Sequence, residues 1–190
     1  MFKKICLTAL SAVSVFAMHS AEVNVNNSDL ELSARLDMGQ FSDNIEPDTI
    51  FLGAKYLNAD ERHSDVRSID DYQELNFLMQ REVSTDFRLG IGAKLNHTKD
   101  FVSIPFGVEV VYKLPVTSII PFYVGASLYA APEVLSLDKA DSFLEYRVTL
   151  EAEVIQNAFI TAGYRHMDTN YERGDVEYNE SLYFGLKVLF

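Results

Sequence analysis

The sequence predicts an all-β fold: a transmembrane antiparallel up-and-down β-barrel of ten strands, with eight as the alternative count and a lumen filled by charged side chains and glycine. Three observations predict it. Apolar and polar residues alternate almost from end to end, which is the period of a strand. The polar face combines long charged side chains with glycines. The chain stops on Phe190, the last apolar residue of the alternating run Leu182, Phe184, Leu186, Val188, Phe190, with no polar tail.

The first residues follow a different rule. Lys3 and Lys4 precede an apolar run over residues 5–17 and then small residues. That is the layout of a secretory signal peptide, expected to occupy residues 1–21 and to leave a single barrel domain over 22–190. Cleavage is expected after Ala21, with Ala17 as the alternative. The run is too short for a spanning helix of ~20 residues. The only cysteine, Cys6, lies in this leader. The mature chain is therefore expected to lack disulfides and cysteine metal sites. Losing Lys3 and Lys4 leaves 14 basic against 28 acidic residues. That sign argues against a nucleic-acid partner. A mean hydropathy near zero is what two averaged faces must give.

The strands follow in order. Val23-Asn24-Val25 and Asn26-Asn27-Ser28 read as a short strand and a tight turn. Leu30, Leu32, Ala34, Leu36 and Met38 share one face of the next strand. The following sets are Ile50, Leu52, Ala54, Tyr56; then Leu75, Phe77, Met79; then Phe87, Leu89, Ile91, Ala93, Leu95. Ile104, Phe106, Val108, Val110, Tyr112 and Leu114 come next, then Phe122, Val124, Ala126, Leu128 and Ala130. Leu144, Tyr146, Val148, Leu150, Ala152 and Val154 precede Ala158, Ile160, Ala162 and Tyr164, and the closing strand completes the series. Residues 39–48 are expected to form a longer connection on the side where the chain ends.

The opposite face carries Arg35, Lys55, Arg81, Arg88, Lys94, Glu109, Lys113, Glu145, Arg147, Glu151, Glu153, Arg165 and Lys187, with Gly53, Gly90, Gly92, Gly107, Gly125, Gly163 and Gly185. Glycine weakens a strand unless something needs the room. In a narrow barrel that something is the long side chain of a neighbouring strand. Arg88, Lys94, Glu109, Lys113, Glu145, Arg147, Glu151, Glu153, Arg165 and Lys187 are the expected lumen charge network. Opposite charges in so narrow a bore are expected to pair and plug it.

The connections over residues 58–71, 96–102, 131–142 and 168–180 read as long and polar. Those at 84–86, 115–118 and 156–157 read as short. Long loops on one side and short turns on the other are the asymmetry of outer-membrane barrels.

A soluble barrel with a greasy interior would show the same alternation. Lipid on the apolar face is preferred for three reasons. No disulfide braces the mature fold. The glycines sit where a crowded lumen needs space. A terminal strand that ends flush on an aromatic can zip against the first strand and leave no open edge in hydrocarbon. Such an ending also resembles the signature read by the outer-membrane assembly machinery, an expected partner.

The last third of the chain carries more than a pattern. Tyr129, Ala131-Pro132-Glu133, Glu145-Tyr146-Arg147 and Gly163-Tyr164-Arg165 resemble elements of the YfaZ family of small bacterial outer-membrane proteins. The resemblance covers residues 119–190; from 22 to 114 it rests on strand pattern. It implies a barrel of the bacterial outer membrane with unassigned activity and brings no catalytic residues.

The expected function is therefore structural or surface-interacting, without enzymatic activity and without a cofactor or catalytic site. A narrow channel for small solutes is the alternative. A third reading is a rim hydrolase built on His166, Asp168 and Ser181, with His63 and His97 the other histidines near the outer ends of strands. Outer-membrane lipid and lipopolysaccharide are expected partners. The acidic positions Asp60, Glu61, Asp65, Asp70, Asp71, Glu172, Asp175, Glu177 and Glu180 offer hard oxygens for divalent cations bridging to lipid phosphates. Arg62, Arg67 and Arg173 offer direct phosphate contacts.

Overall fold

A computed structural model describes residues 19–58, 71–99, 101–116, 119–138, 140–171 and 174–190. Twelve strands follow in order: β1 (Ser20–Val25), β2 (Leu30–Asp37), β3 (Ile50–Asn58), β4 (Tyr72–Ser84), β5 (Phe87–His97), β6 (Phe101–Ser103), β7 (Phe106–Lys113), β8 (Phe122–Ala131), β9 (Ser136–Asp138), β10 (Ala140–Ile155), β11 (Ala158–Tyr171) and β12 (Gly174–Leu189). Ten of them form a closed antiparallel barrel, each pairing with its chain neighbour in the wall. β6 and β9 pair with each other, and β6 with the end of β5, as a small sheet above the wall. Among the described residues the only helical segments are 3-10 turns at Met38–Gln40 and Glu133–Leu135.

Closure falls between first and last strands, as the ending on Phe190 predicts. β1 runs antiparallel to β12 from Ser20 opposite Leu189 to Val25 opposite Phe184. His19 and Phe190 extend the seam through two backbone hydrogen bonds, 3.1 and 2.9 Å. Of the expected leader, residues 1–18 lie outside the described residues; Ser20 and Ala21 open β1.

The expected apolar face points outward. Leu32, Leu52, Leu75, Ile91, Val108, Leu128, Val148, Ile160, Phe184 and Leu186, one from each wall strand after β1 and two from β12, are all exposed. Arg81, expected on the lumen face, is an exception. It pairs with outward Leu89 and so points outward too. Its parity with Leu75, Phe77 and Met79 explains this, since one register gives all four one direction. An apolar girdle around a closed barrel is the surface of a protein that spans a membrane, because closure pairs the first and last strands and the outward apolar side chains can meet hydrocarbon.

Two connections differ from expectation, and the tight turn expected after β1 is found on the long-loop side. Residues 168–180 are not a loop: β11 and β12 continue as a ladder up to Tyr171 opposite Gly174, with a bulge at Met167/Asp168. β7 starts at Phe106, not Ile104. Pro105 has no N–H for a ladder, and only its carbonyl is used, by the Lys94 N–H at 2.9 Å. The turn between β1 and β2 is short although it lies on the long-loop side. There Asn26 Oδ1 accepts from the N–H groups of Ser28 and Asp29 at 2.7 and 2.6 Å. The connection over 39–48 lies on the opposite, turn side, as expected.

Candidate functional site

The lumen is layered. At the loop end Leu57, Tyr72, Phe101, Ala131, Ala140, Phe143, Met167 and Tyr178 form a buried apolar cluster inside the barrel. Tyr72 stacks on Phe143 at 6.4 Å, and Phe101 meets Tyr178 edge to face at 6.0 Å. β6 delivers Phe101, so the small sheet above the wall turns an aromatic inward as a lid.

Below the aromatics lies a charged layer. Lys55 and Lys94 face Glu74 and Glu145: Lys94 Nζ is 2.6 Å from Glu145 and 3.3 Å from Glu74, and Lys55 Nζ is 2.9 Å from Glu74 and 3.3 Å from Glu145. Arg147 and Arg165 face Glu31 and Asp29, with contacts of 2.7, 2.7 and 3.2 Å. Arg147 also lies 3.7 Å from Glu145 and joins the two groups. Four cations thus meet four anions. Burying charge is costly unless it is paired and hydrogen-bonded. The remaining capacity is met by Asn24 donating to Glu31 at 2.9 Å, Asn179 donating to Asp29 at 2.8 Å and Ser181 accepting from Arg165 at 3.1 Å. The Tyr129 ring lies 4.0 Å from Lys94 Nζ, a cation–π contact that also fills space.

Glycine makes room for that ring. A Cβ at Gly107 would collide with the Leu128 carbonyl and lie 2.6 Å from the Tyr129 ring, and one at Gly92 would lie 2.5 Å from its hydroxyl. The Tyr129 hydroxyl donates to Glu109 at 2.8 Å.

Towards the turn end the bore opens into a vestibule of about 350 Å³. Arg35 holds Glu109 bidentately at 3.0 Å, and Lys187 holds Glu151 at 2.5 Å. Arg88 reaches Asp48 at 3.7 Å. Glu153 takes a hydrogen bond from the Asn157 N–H at 3.1 Å. Lys113 is exposed at the rim. Asp48, on the connection before β3, is held above the ordinary aspartate range by burial, which outweighs the attraction of Arg88 and is reinforced by the charge of Asp37.

Of the expected network, Lys94, Glu145, Arg147 and Arg165 thus meet in the middle layer. Arg88, Glu109, Glu151, Glu153 and Lys187 line the vestibule. The acids that complete the middle layer, Asp29, Glu31 and Glu74, were missing from the expected set. Parity alone would have found two of them: Glu31 alternates with Leu30 and Leu32, and Glu74 with Leu75.

The residues of the rim-hydrolase reading do not converge. His166 pairs in register with Glu180 and stacks on Tyr146 at 4.8 Å, on the outer surface. Ser181 pairs with Arg165 and is hydrogen-bonded to it inside the lumen. The wall separates the two. His97 is exposed, and His63 lies outside the described residues, as do Asp60, Glu61, Arg62, Asp65, Arg67, Asp70, Glu172 and Arg173. Asp71 accepts from Tyr56 at 2.6 Å and Asn58 at 2.8 Å, and Glu180 accepts from Tyr164 at 2.7 Å. No group of three or more His, Cys, Asp or Glu among the described residues has metal-holding geometry.

No protein-family model matches the chain, and no curated protein does. Among solved structures, a NanC porin determined in a rhombohedral crystal form is similar to it, at 8% sequence identity and a TM-score of 0.45, over 92% of this chain and 98% of that one.

Proposed function

We propose that this protein is a barrel of the bacterial outer membrane, exported with a cleaved leader, whose role is structural or surface-interacting and neither conductive nor enzymatic. The observation that carries the proposal is the occluded bore. A layer of buried aromatics lies directly above a charge-neutral layer of eight paired ions. A hydrated ion entering from the vestibule meets paired charges and then hydrocarbon. Both barriers disfavour passage. Lipopolysaccharide is the partner expected at the loop end, where outward Tyr164 and Tyr56 are each tied to a carboxylate. The flush aromatic end of β12 suits recognition by the assembly machinery. The resemblance of residues 119–190 to the YfaZ family agrees with this role.

Purified protein in planar bilayers tests the reading. The expected record is silent at moderate voltage. Steady, ion-selective steps would instead favour the narrow-channel reading, for which the vestibule reaching the middle of the barrel speaks.

A further inference from the structure

We propose that the leader is cut between Ala17 and Met18, so that the mature chain keeps His19, Ser20 and Ala21 as the opening of its first strand. The proposal rests on the export reading and replaces the cut after Ala21 that the sequence favoured. Between residues 17 and 22 two bonds follow an alanine, Ala17–Met18 and Ala21–Glu22. The barrel distinguishes them.

Residues 19–21 belong to the wall. Ser20 pairs with Leu189 on one side and Arg35 on the other, and Ala21 with Val188 and Ala34. His19 exchanges two backbone hydrogen bonds with Phe190, at 3.1 and 2.9 Å. Its Nδ1 accepts from the Asp37 N–H at 3.0 Å. Its ring stacks on Phe41 at 5.6 Å and meets Phe190 edge to face at 5.9 Å. One residue thus gathers the last residue of the chain, the end of β2 and the connection before β3. A cut after Ala21 removes all of this. Losing Ser20 and Ala21 takes β1 from six residues to four, and the ends of β2 and β12 then face each other across a gap. Unpaired strand edges in a membrane barrel are costly, and this gap lies in the seam that closes it. A leader is removed during export, before the barrel folds, so the fold shields neither bond. What separates the two products is that only the longer one carries the residues that complete the seam.

The local chemistry agrees. A leader peptidase takes small side chains at the first and third residues before the bond. Those are Ala17 and Val15 for one cut, Ala21 and His19 for the other. Valine is compact and uncharged, whereas the imidazole is bulkier and polar. The step is a hydrolysis. The oxygen of a water bonds to the Ala17 carbonyl carbon, the C–N bond breaks, and both water protons end on the Met18 nitrogen, leaving a carboxylate and an ammonium.

The full chain, expressed in a Gram-negative bacterium and purified from its outer membrane, is read by N-terminal sequencing and intact mass. A start at Met18 is expected. Ala17→Leu is expected to abolish that start, and Ala21→Leu, whose side chain faces outward in the wall, to leave it unchanged. A start at Glu22, or processing blocked by Ala21→Leu and not by Ala17→Leu, would overturn the proposal. An unprocessed chain beginning at Met1 would instead remove the export reading beneath it. Chains beginning at Met18 and at Glu22, refolded into lipid vesicles, give a second measurement. The shorter chain is expected to unfold at a lower urea concentration. Equal midpoints would show that residues 19–21 add nothing to closure, and would overturn the reason for the cut.

Discussion

Arg165 and Glu31 meet at 2.7 Å although 134 positions separate them, and β12 and β1 stand between their strands. The contact is a chord through the lumen, not a neighbour pair along the wall. Beneath it Gly185 of β12 makes room for Asn24 of β1, which donates to Glu31: a Cβ at 185 would collide with Asn24 Oδ1. The chord ties the two ends of the chain together at the seam where the barrel closes.

Arg165→Met is therefore expected to weaken closure. It removes the Arg165 contacts of both Asp29 and Glu31, leaving Glu31 its pair with Arg147. Removing one partner of a buried ion pair costs about 3–5 kcal/mol. Urea unfolding from lipid vesicles, followed by heat-modifiable gel mobility, measures the loss. A variant within 1 kcal/mol of the parent, roughly the worth of a surface pair, would show that the chord contributes little.

Two glycines should respond differently to the same change. Gly107→Ala drives a Cβ into a backbone carbonyl and the Tyr129 ring, neither free to move. Gly125→Ala meets only the Thr149 hydroxyl at 2.5 Å, which can rotate away. Overpacking by ~1–3 kcal/mol is expected at 107 and less at 125. The same unfolding assay ranks them, and a reversed order would contradict the packing described for Tyr129.

Opening the bore should need two changes together. Phe101→Ala, Phe143→Ala and Tyr178→Ala thin the apolar layer but leave the ions below it. Glu74→Ala with Lys94→Ala removes one cation and one anion but leaves the aromatics. Each set alone is expected to stay silent in planar bilayers, and the combined variant to give conductance steps. Steps from the first set alone would place the barrier wholly in the aromatics.

Asp48 sets a small pH dependence. Its folded pKa is raised by burial, so the folded state holds the proton more tightly than the unfolded chain. Its penalty is absent below the ordinary aspartate value of about 4 and grows as pH rises through the raised value. Asp48→Asn keeps the positive φ of 61°, which asparagine tolerates. The variant is expected to match the parent at low pH and to melt at the same or a higher temperature at pH 7. Melting curves across that range test the sign.

The wall of the barrel was legible from parity, because one buried face and one lipid face repeat every second residue. Ten strands rather than eight followed from the short run around Val23 and the even count that closure demands. The layering was not legible. Tyr178 points inward beside Asn179 because of the bulge at Met167/Asp168, and alternation carries no mark of a bulge. Phe101 arrives from a three-residue strand too short to show a period. The partners in the ion layer come from strands far apart in the chain, and only the closed wall brings them within reach.

The wall is also uneven in height, and the surrounding bilayer must answer to it. β1 has six residues, about 20 Å along the strand, while β12 has sixteen, about 50 Å. At a tilt of ~40° the shorter strand covers only about 15 Å of vertical depth, less than a usual hydrophobic band of about 25 Å. A bilayer matched to this wall would be thinner beside β1 than beside β10 to β12, a lopsided collar that would favour regions of low membrane thickness.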